Sequence, residues 1–163
     1  MMSKQGKGLL ILEEDDFELI ETGKVVHLTH TVESKYSIVM FYTDNCDQCK
    51  IIKPILLSFV GNSTITICMV NVYDSDSTNL IQLSQKTTTP LQHVPYIVFY
   101  INGVPFKKYD GQYNLKDFQT FVQKVMAEAT KVKDTNDISE IPPYTIGKPN
   151  SAKVCYLTYQ KAY

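Results

Sequence analysis

Tyr42-Thr43-Asp44-Asn45-Cys46-Asp47-Gln48-Cys49-Lys50 is the stretch on which the fold turns. It follows the apolar run Ser37-Ile38-Val39-Met40-Phe41-Tyr42 and leads into Lys50-Ile51-Ile52-Lys53-Pro54-Ile55-Leu56-Leu57, a helical pattern. The order is strand, cysteine pair, helix. Two cysteines at this spacing at a helix start can close a small disulfide with little backbone movement. Cys46 would sit where helix N–H groups lack partners and the dipole is positive. That setting favours a thiolate, the form that attacks at neutral pH. Cys49, one turn in and more protected, is placed to resolve a mixed disulfide. Such a dithiol is its own redox centre and needs no cofactor.

Half a zinc site is the main competitor for a Cys-x-x-Cys pair. It would need two more ligands at similar spacing. Cys68 and Cys155 stand apart, and His27, His30 and His93 form no ligand pair, so no metal is expected. An inert structural pair stays open, although the strand before it and the helix after it weigh against it.

The chain of 163 residues fits one domain with an appended tail. A net charge of -1 gives no reason to expect nucleic acid or an anionic membrane as partner. Apolar residues make up 44%, enough to fill a core. Four cysteines are too few for a disulfide scaffold. No charged n-region followed by an apolar h-region is read near the start, so no signal peptide is expected, and no apolar run reaches the ~18–20 residues of a membrane span. The expected compartment is the cytoplasm, where dithiols are more often catalytic than structural. Asn62-Ser63-Thr64 has the form of a glycosylation sequon that such a compartment would not use.

Leu9 to Leu12 reads as a strand, and the acidic run Glu13 to Asp16 as a solvated turn. Phe17 to Glu21 and Val25 to Thr29 flank Thr22-Gly23-Lys24 as a hairpin, with His27 on its surface. His30 to Lys35 leaves room for a turn or two of helix. Ile38 to Tyr42 suits a strand covered on both faces. A helix is expected from about Cys46 to Val60, kinked at Pro54, with Gly61-Asn62 as its stop. Thr64 to Tyr73 is the next strand, with Cys68 a buried core thiol. Asp76 to Lys86 reads as a helix. Val94 to Ile101 reads as a strand led by Pro95, turned by Asn102-Gly103 into Val104 to Tyr109. Leu115 to Ala129 is an amphipathic helix. The sum is an α/β layout, a central mixed sheet with helices on both faces. Residues 130–163 break the pattern, and Ala152 to Tyr159 regains strand-like residues.

Three features taken together resemble the thioredoxin family. They are Cys46-Asp47-Gln48-Cys49 with Pro54 five residues on, Val94-Pro95-Tyr96, and the closing Asn102-Gly103 turn, Gly111 and final helix. The resemblance covers about residues 24–129, leaving an N-terminal extension (1–23) and a C-terminal extension (130–163). It implies a thioredoxin-like fold with Pro95 as a cis-proline facing the dithiol. It also implies that the Val94 backbone binds an extended substrate chain. Tyr42 and Asn45 fall at positions that are aromatic-rich in the family and would complete the substrate surface. Asp47 and Gln48, between the cysteines, and His93 nearby would modulate the site. Asp47 would oppose a thiolate at Cys46, and His93 reads as a solvated loop residue, with tuning of Cys46 the lesser role.

The departures bear on mechanism. The chain has no tryptophan. The family's buried aspartate, six residues before the first cysteine, falls on Met40, and its lysine partner falls near Met69. That pair moves a proton for the second cysteine, so general disulfide reductase activity is expected to be weak or narrowed. The resemblance implies a thiol–disulfide oxidoreductase that reduces protein disulfides and is recharged by a thiol reductase, serving redox homeostasis and electron transport. Two alternatives stay open. One is an oxidant or isomerase served by an oxidase, and the other is a binding module with incidental turnover. A monomer or weak dimer is expected. The tail, with Tyr144, Tyr156, Tyr159 and Tyr163, reads as a strap or partner surface, and Cys155 as a lone reduced thiol. Asn, Lys, Ile and Tyr usage together with the tail resembles thioredoxin-like proteins of large DNA viruses, which would make the virion a second location.

Overall fold

In the computed structural model, which describes residues 8–132 and 155–157, the strands and α-helices follow in this order. They are β1 (Leu9–Ile11), β2 (Phe17–Thr22), β3 (Val25–His30), β4 (Tyr36–Tyr42), α1 (Asp47–Leu57), β5 (Ile65–Asn71), α2 (Leu80–Ser84), β6 (His93–Val94), β7 (Tyr96–Ile101), β8 (Val104–Lys108), α3 (Leu115–Ala129) and β9 (Cys155–Tyr156). Five strands form one sheet in the order β1-β5-β4-β7-β8. The run that reads as doubly covered, β4, is its centre. It pairs parallel with β5 and antiparallel with β7, so the sheet is mixed. Six of its seven residues are buried, which is why it is apolar without alternation.

Side-chain alternation sorts the two faces. Ser37, Val39 and Phe41 share one face with Tyr96, Val98 and Tyr100 through the β4–β7 register. The β2–β3 hairpin packs there: Phe17 lies 5.6 Å from Phe41, and His30 lies 4.8 Å from Tyr100, between ring centroids. The loop after α2 is tied to the hairpin by the Thr88 N–H, which donates to the Val26 carbonyl at 3.0 Å. Beyond the other face, the chain just after α1 meets α3 through Phe59 and Phe118, whose rings are 5.2 Å apart. In α3 the buried residues Phe118, Val122, Val125 and Ala129 recur at helical period, and Asn114 caps the helix by accepting from the Asp117 N–H at 2.8 Å.

The edge strand β1 pairs parallel with β5 and lies within the segment 1–23, so the sheet draws on that extension. The acidic run Glu14–Asp16 is a short 3-10 turn, closed by the Glu13 N–H donating to the Asp16 carboxylate at 2.8 Å. Residues 31–35 hold no helix. Their backbone groups are used elsewhere: the Thr31 N–H donates to the Asp16 carbonyl, and the Lys35 carbonyl accepts from the Asn102 N–H. The helix expected over Asp76–Lys86 is shorter, because a 3-10 turn at Ser75–Ser77, capped by Asp74, precedes α2. His27 is buried rather than on the surface, with Nε2 3.0 Å from the Thr22 hydroxyl. The strand expected over 94–101 is interrupted. β6 ends at Val94, the Val94–Pro95 bond is cis, and β7 begins at Tyr96. Asn102 and Gly103 turn the chain at φ of 50° and 82°, the left-handed pair a two-residue hairpin needs. Tyr144, Tyr159 and Tyr163 lie outside the described residues.

Candidate active site

The cysteine pair stands where β4 hands the chain to α1. Cys46 is the N-cap of α1 and is joined to Cys49 by a disulfide, with Cα atoms 5.2 Å apart. The Cys46 sulfur takes the role that a serine or aspartate side chain usually fills at a cap. It accepts from the Cys49 N–H at 3.0 Å, while the Cys46 carbonyl accepts from the Lys50 N–H at 3.3 Å. An N–H aimed at this sulfur, with the positive end of the helix behind it, stabilises a thiolate there once the disulfide is reduced. Asp47 is exposed and pairs with Lys50 at 3.9 Å, so a cation faces its charge across the first turn. Asn45 is exposed, and Gln48 and Tyr42 are half-buried. The sequence expects Cys49 to be the more protected cysteine, but both are buried, Cys46 at 0% and Cys49 at 3% exposed.

Beneath the pair, Met40 and Cys49 line a small cleft of about 120 Å³ with Tyr42, Asp44, Lys50 and Lys53. Met40 is opposite Met69 in the β4–β5 register, and both are buried. No carboxylate stands at either position. Asp44 accepts from the Asn71 side-chain amide at 3.1 Å. Burial raises the Tyr42 hydroxyl pKa, and the Asp44 and Asp74 charges raise it further, so it stays a neutral phenol.

The second half of the site arrives from β6 and β7. Phe41 pairs with Tyr96, which brings Pro95 level with Tyr42 near the end of β4. Val94 and Pro95 are buried. His93 is not a solvated loop residue. It is half-buried on β6, its ring 5.2 Å from that of Tyr96, with Nε2 3.4 Å from the Lys108 ammonium. Lys108 also lies 5.0 Å from the centroid of Tyr96, a cation over an aromatic face. Burial, and then the Lys108 charge, lower the His93 pKa to about 4. At neutral pH His93 is therefore uncharged and offers no cation to a thiolate. Sequence reasoning misses Lys108, which becomes visible only when β8 is laid beside β7.

β6 has a partner that no sequence motif announces. β9 pairs with it antiparallel, Tyr156 opposite His93 and Cys155 opposite Val94. The Leu157 N–H extends the ladder by donating to the Gln92 carbonyl at 2.8 Å. Among the described residues, no three His, Cys, Asp or Glu side chains gather as metal ligands.

A disulfide capping the helix that follows the central strand of a mixed sheet, beside an X-Pro strand break, defines a dithiol protein of thioredoxin-like fold. Comparison with known proteins assigns the family. Residues 23–124 match the family model "Thioredoxin", and the chain belongs to the thioredoxin family. It is 56% identical to uncharacterized protein 020R of Invertebrate iridescent virus 3, over 99% of this chain and 100% of that one. It is 38% identical to uncharacterized protein 196R of Invertebrate iridescent virus 6, over 83% and 79% of the two chains. Both relatives are viral, in line with the composition. Among solved structures, a point-mutant thioredoxin from Halobacterium salinarum NRC-1 shares the fold with a TM-score of 0.51 at 13% identity, over 76% of this chain and 94% of that one.

Proposed function

We propose that this chain is a thiol–disulfide oxidoreductase that reduces disulfides in protein substrates. The observation that carries the reading is the cap itself: the Cys46 sulfur holds the Cys49 N–H at the N-terminus of α1. In the reduced protein the Cys46 thiolate attacks a substrate disulfide, forming a Cys46–substrate bond and releasing one substrate thiolate. Cys49 then attacks the Cys46 sulfur. The Cys46–Cys49 bond closes, the second substrate thiolate leaves, and two electrons have passed to the substrate. No cofactor takes part. A thiol reductase restores the dithiol from outside. Val94, through its backbone, and Tyr42 and Asn45, at the rim, receive the substrate chain. Pro95 holds that backbone next to the sulfurs. The working compartment is the cytoplasm of an infected cell or the virion.

A second reading is a binding module with incidental redox turnover. It is favoured by the complete burial of Cys46. The reduction potential of the pair against a glutathione series separates the possibilities. A value near about −270 mV goes with a reductant, and one near about −180 mV with an oxidant or isomerase. Failure of the Cys46–Cys49 disulfide to form at any poise would leave the binding module. The Cys46→Ser chain should lose all insulin reduction, and the Cys49→Ser chain should accumulate a mixed disulfide through Cys46.

A further inference from the structure

We propose that the C-terminal strand β9 is an internal occupant of the peptide-binding edge, a strap that a substrate chain displaces before it reaches Cys46. This rests on the reading above, in which the Val94 backbone receives substrate.

Three observations converge. First, β6 belongs to no larger sheet; among the described strands, its ladder partner is β9. An extended chain bound to the Val94 backbone would use the same edge by strand addition. Residues 155–157 already lie there, in antiparallel register from Gln92 to Val94. Second, Leu157 is partly buried against the hydrophobic core, so the strap is seated by a side chain as well as by backbone bonds. Third, Cys46 is closed, with no accessible surface. A substrate sulfur must approach Cys46 along the disulfide axis, so whatever covers it has to leave.

The size of the contact suits a strap rather than a permanent strand. A two-residue ladder is weak alone, since even an isolated two-stranded hairpin is marginal in water. β9 belongs to the same chain as β6, so its pairing is intramolecular, whereas a free peptide must be drawn from solution. A free peptide at micromolar concentration competes only if it binds by a longer ladder or better side-chain contacts. The strap thus filters substrates by affinity for the β6 edge.

The test uses the full chain carrying Leu157→Pro, which removes the N–H donated to Gln92, with Leu157→Val as the variant that keeps it. In the reduced proteins, the rate of Cys46 alkylation by iodoacetamide is followed by peptide mass spectrometry. Leu157→Pro is expected to speed alkylation at least fivefold, with Leu157→Val near wild type. Equal rates in all three chains overturn the strap. Amide exchange in the wild-type chain is a second measurement that needs no variant. At least tenfold protection of the Leu157 N–H supports the strap, and exchange at the unstructured rate overturns it. The reduction potential of the same proteins against a glutathione series judges the redox reading separately. If Leu157→Pro opens Cys46 and no Cys46–Cys49 disulfide forms at any poise, the strap stands and the oxidoreductase reading falls.

Discussion

Met40 stands opposite Met69 across the parallel ladder of β4 and β5, and both side chains are buried. These are the positions where the family resemblance leads one to expect an aspartate and its lysine partner. Here two thioethers fill the space as flexible apolar packing. Met40 and Cys49 line one cleft, so a carboxylate at residue 40 would lie beside the resolving thiol. Met40→Asp is expected to shorten the lifetime of a Cys46 mixed disulfide about tenfold, somewhat less than a well-positioned base ordinarily contributes. It should also cost about 3 kcal/mol of stability through burial of a carboxyl group. Stopped-flow decay of the mixed disulfide and urea midpoints report the two effects. A mixed disulfide with unchanged lifetime would sink the proton-transfer argument.

Gly103 is held by two constraints at once. Its φ is 82°, and a Cβ there would stand 2.3 Å from the His30 carbonyl oxygen. The His30 N–H also donates to the Gly103 carbonyl at 3.0 Å, so the turn cannot swing away without breaking that bond. Gly103→Ala is expected to cost about 3 kcal/mol, from left-handed strain together with the forced separation of β3 from the β7–β8 turn. Gly23, at φ 62°, has open space where a Cβ would go. Gly23→Ala should cost only about 1 kcal/mol. Urea denaturation of both variants checks the contrast, and equal losses would show that strain alone acts at Gly103.

The central elements are legible in the sequence because each obeys a local rule. The unbroken apolar run of β4, the Asn102-Gly103 turn and the 3.6-residue period of α3 need no knowledge of the rest of the chain. The dithiol and Pro95 are readable for the same reason, as short motifs in fixed order. What escapes depends on long-range pairing. His93 reads as solvated because Lys108 and Tyr96, which enclose it, come together only through the β7–β8 ladder. Hairpin alternation puts His27 on an outward position, yet it is buried beside Thr22. The pairing of β9 with β6 has no periodic signal, since two residues cannot show one. The burial of Cys46 is likewise hidden, since its position as the cap residue of a helix does not by itself show what packs around it.

His30 carries a pH dependence that can be worked out from its hydrogen bonds. The Val32 N–H donates to its Nδ1 at 3.2 Å, so that nitrogen is the acceptor and Nε2 bears the proton. Nε2–H then donates to the Ser37 hydroxyl at 2.7 Å. Protonating the ring would aim a new N–H at the Val32 N–H in a site shut from water. Burial accordingly lowers the His30 pKa to about 4, against an opposing pull from Asp16. The unfolded chain titrates near 6.5, so between these values it binds more protons than the folded one. Stability is therefore fully present above about pH 6.5 and falls as pH drops toward 4, by about 3 kcal/mol from this group. His27 and His93, whose pKa values are also lowered by burial, add in the same direction. Urea titrations at pH 7, 5.5 and 4.5 should show the decline. His30→Gln should be less stable at pH 7, because its two hydrogen bonds are disturbed, but it should lose less between pH 6.5 and 4. An identical decline in wild type and variant would mean that other groups, and not the buried imidazole, set the acid limit.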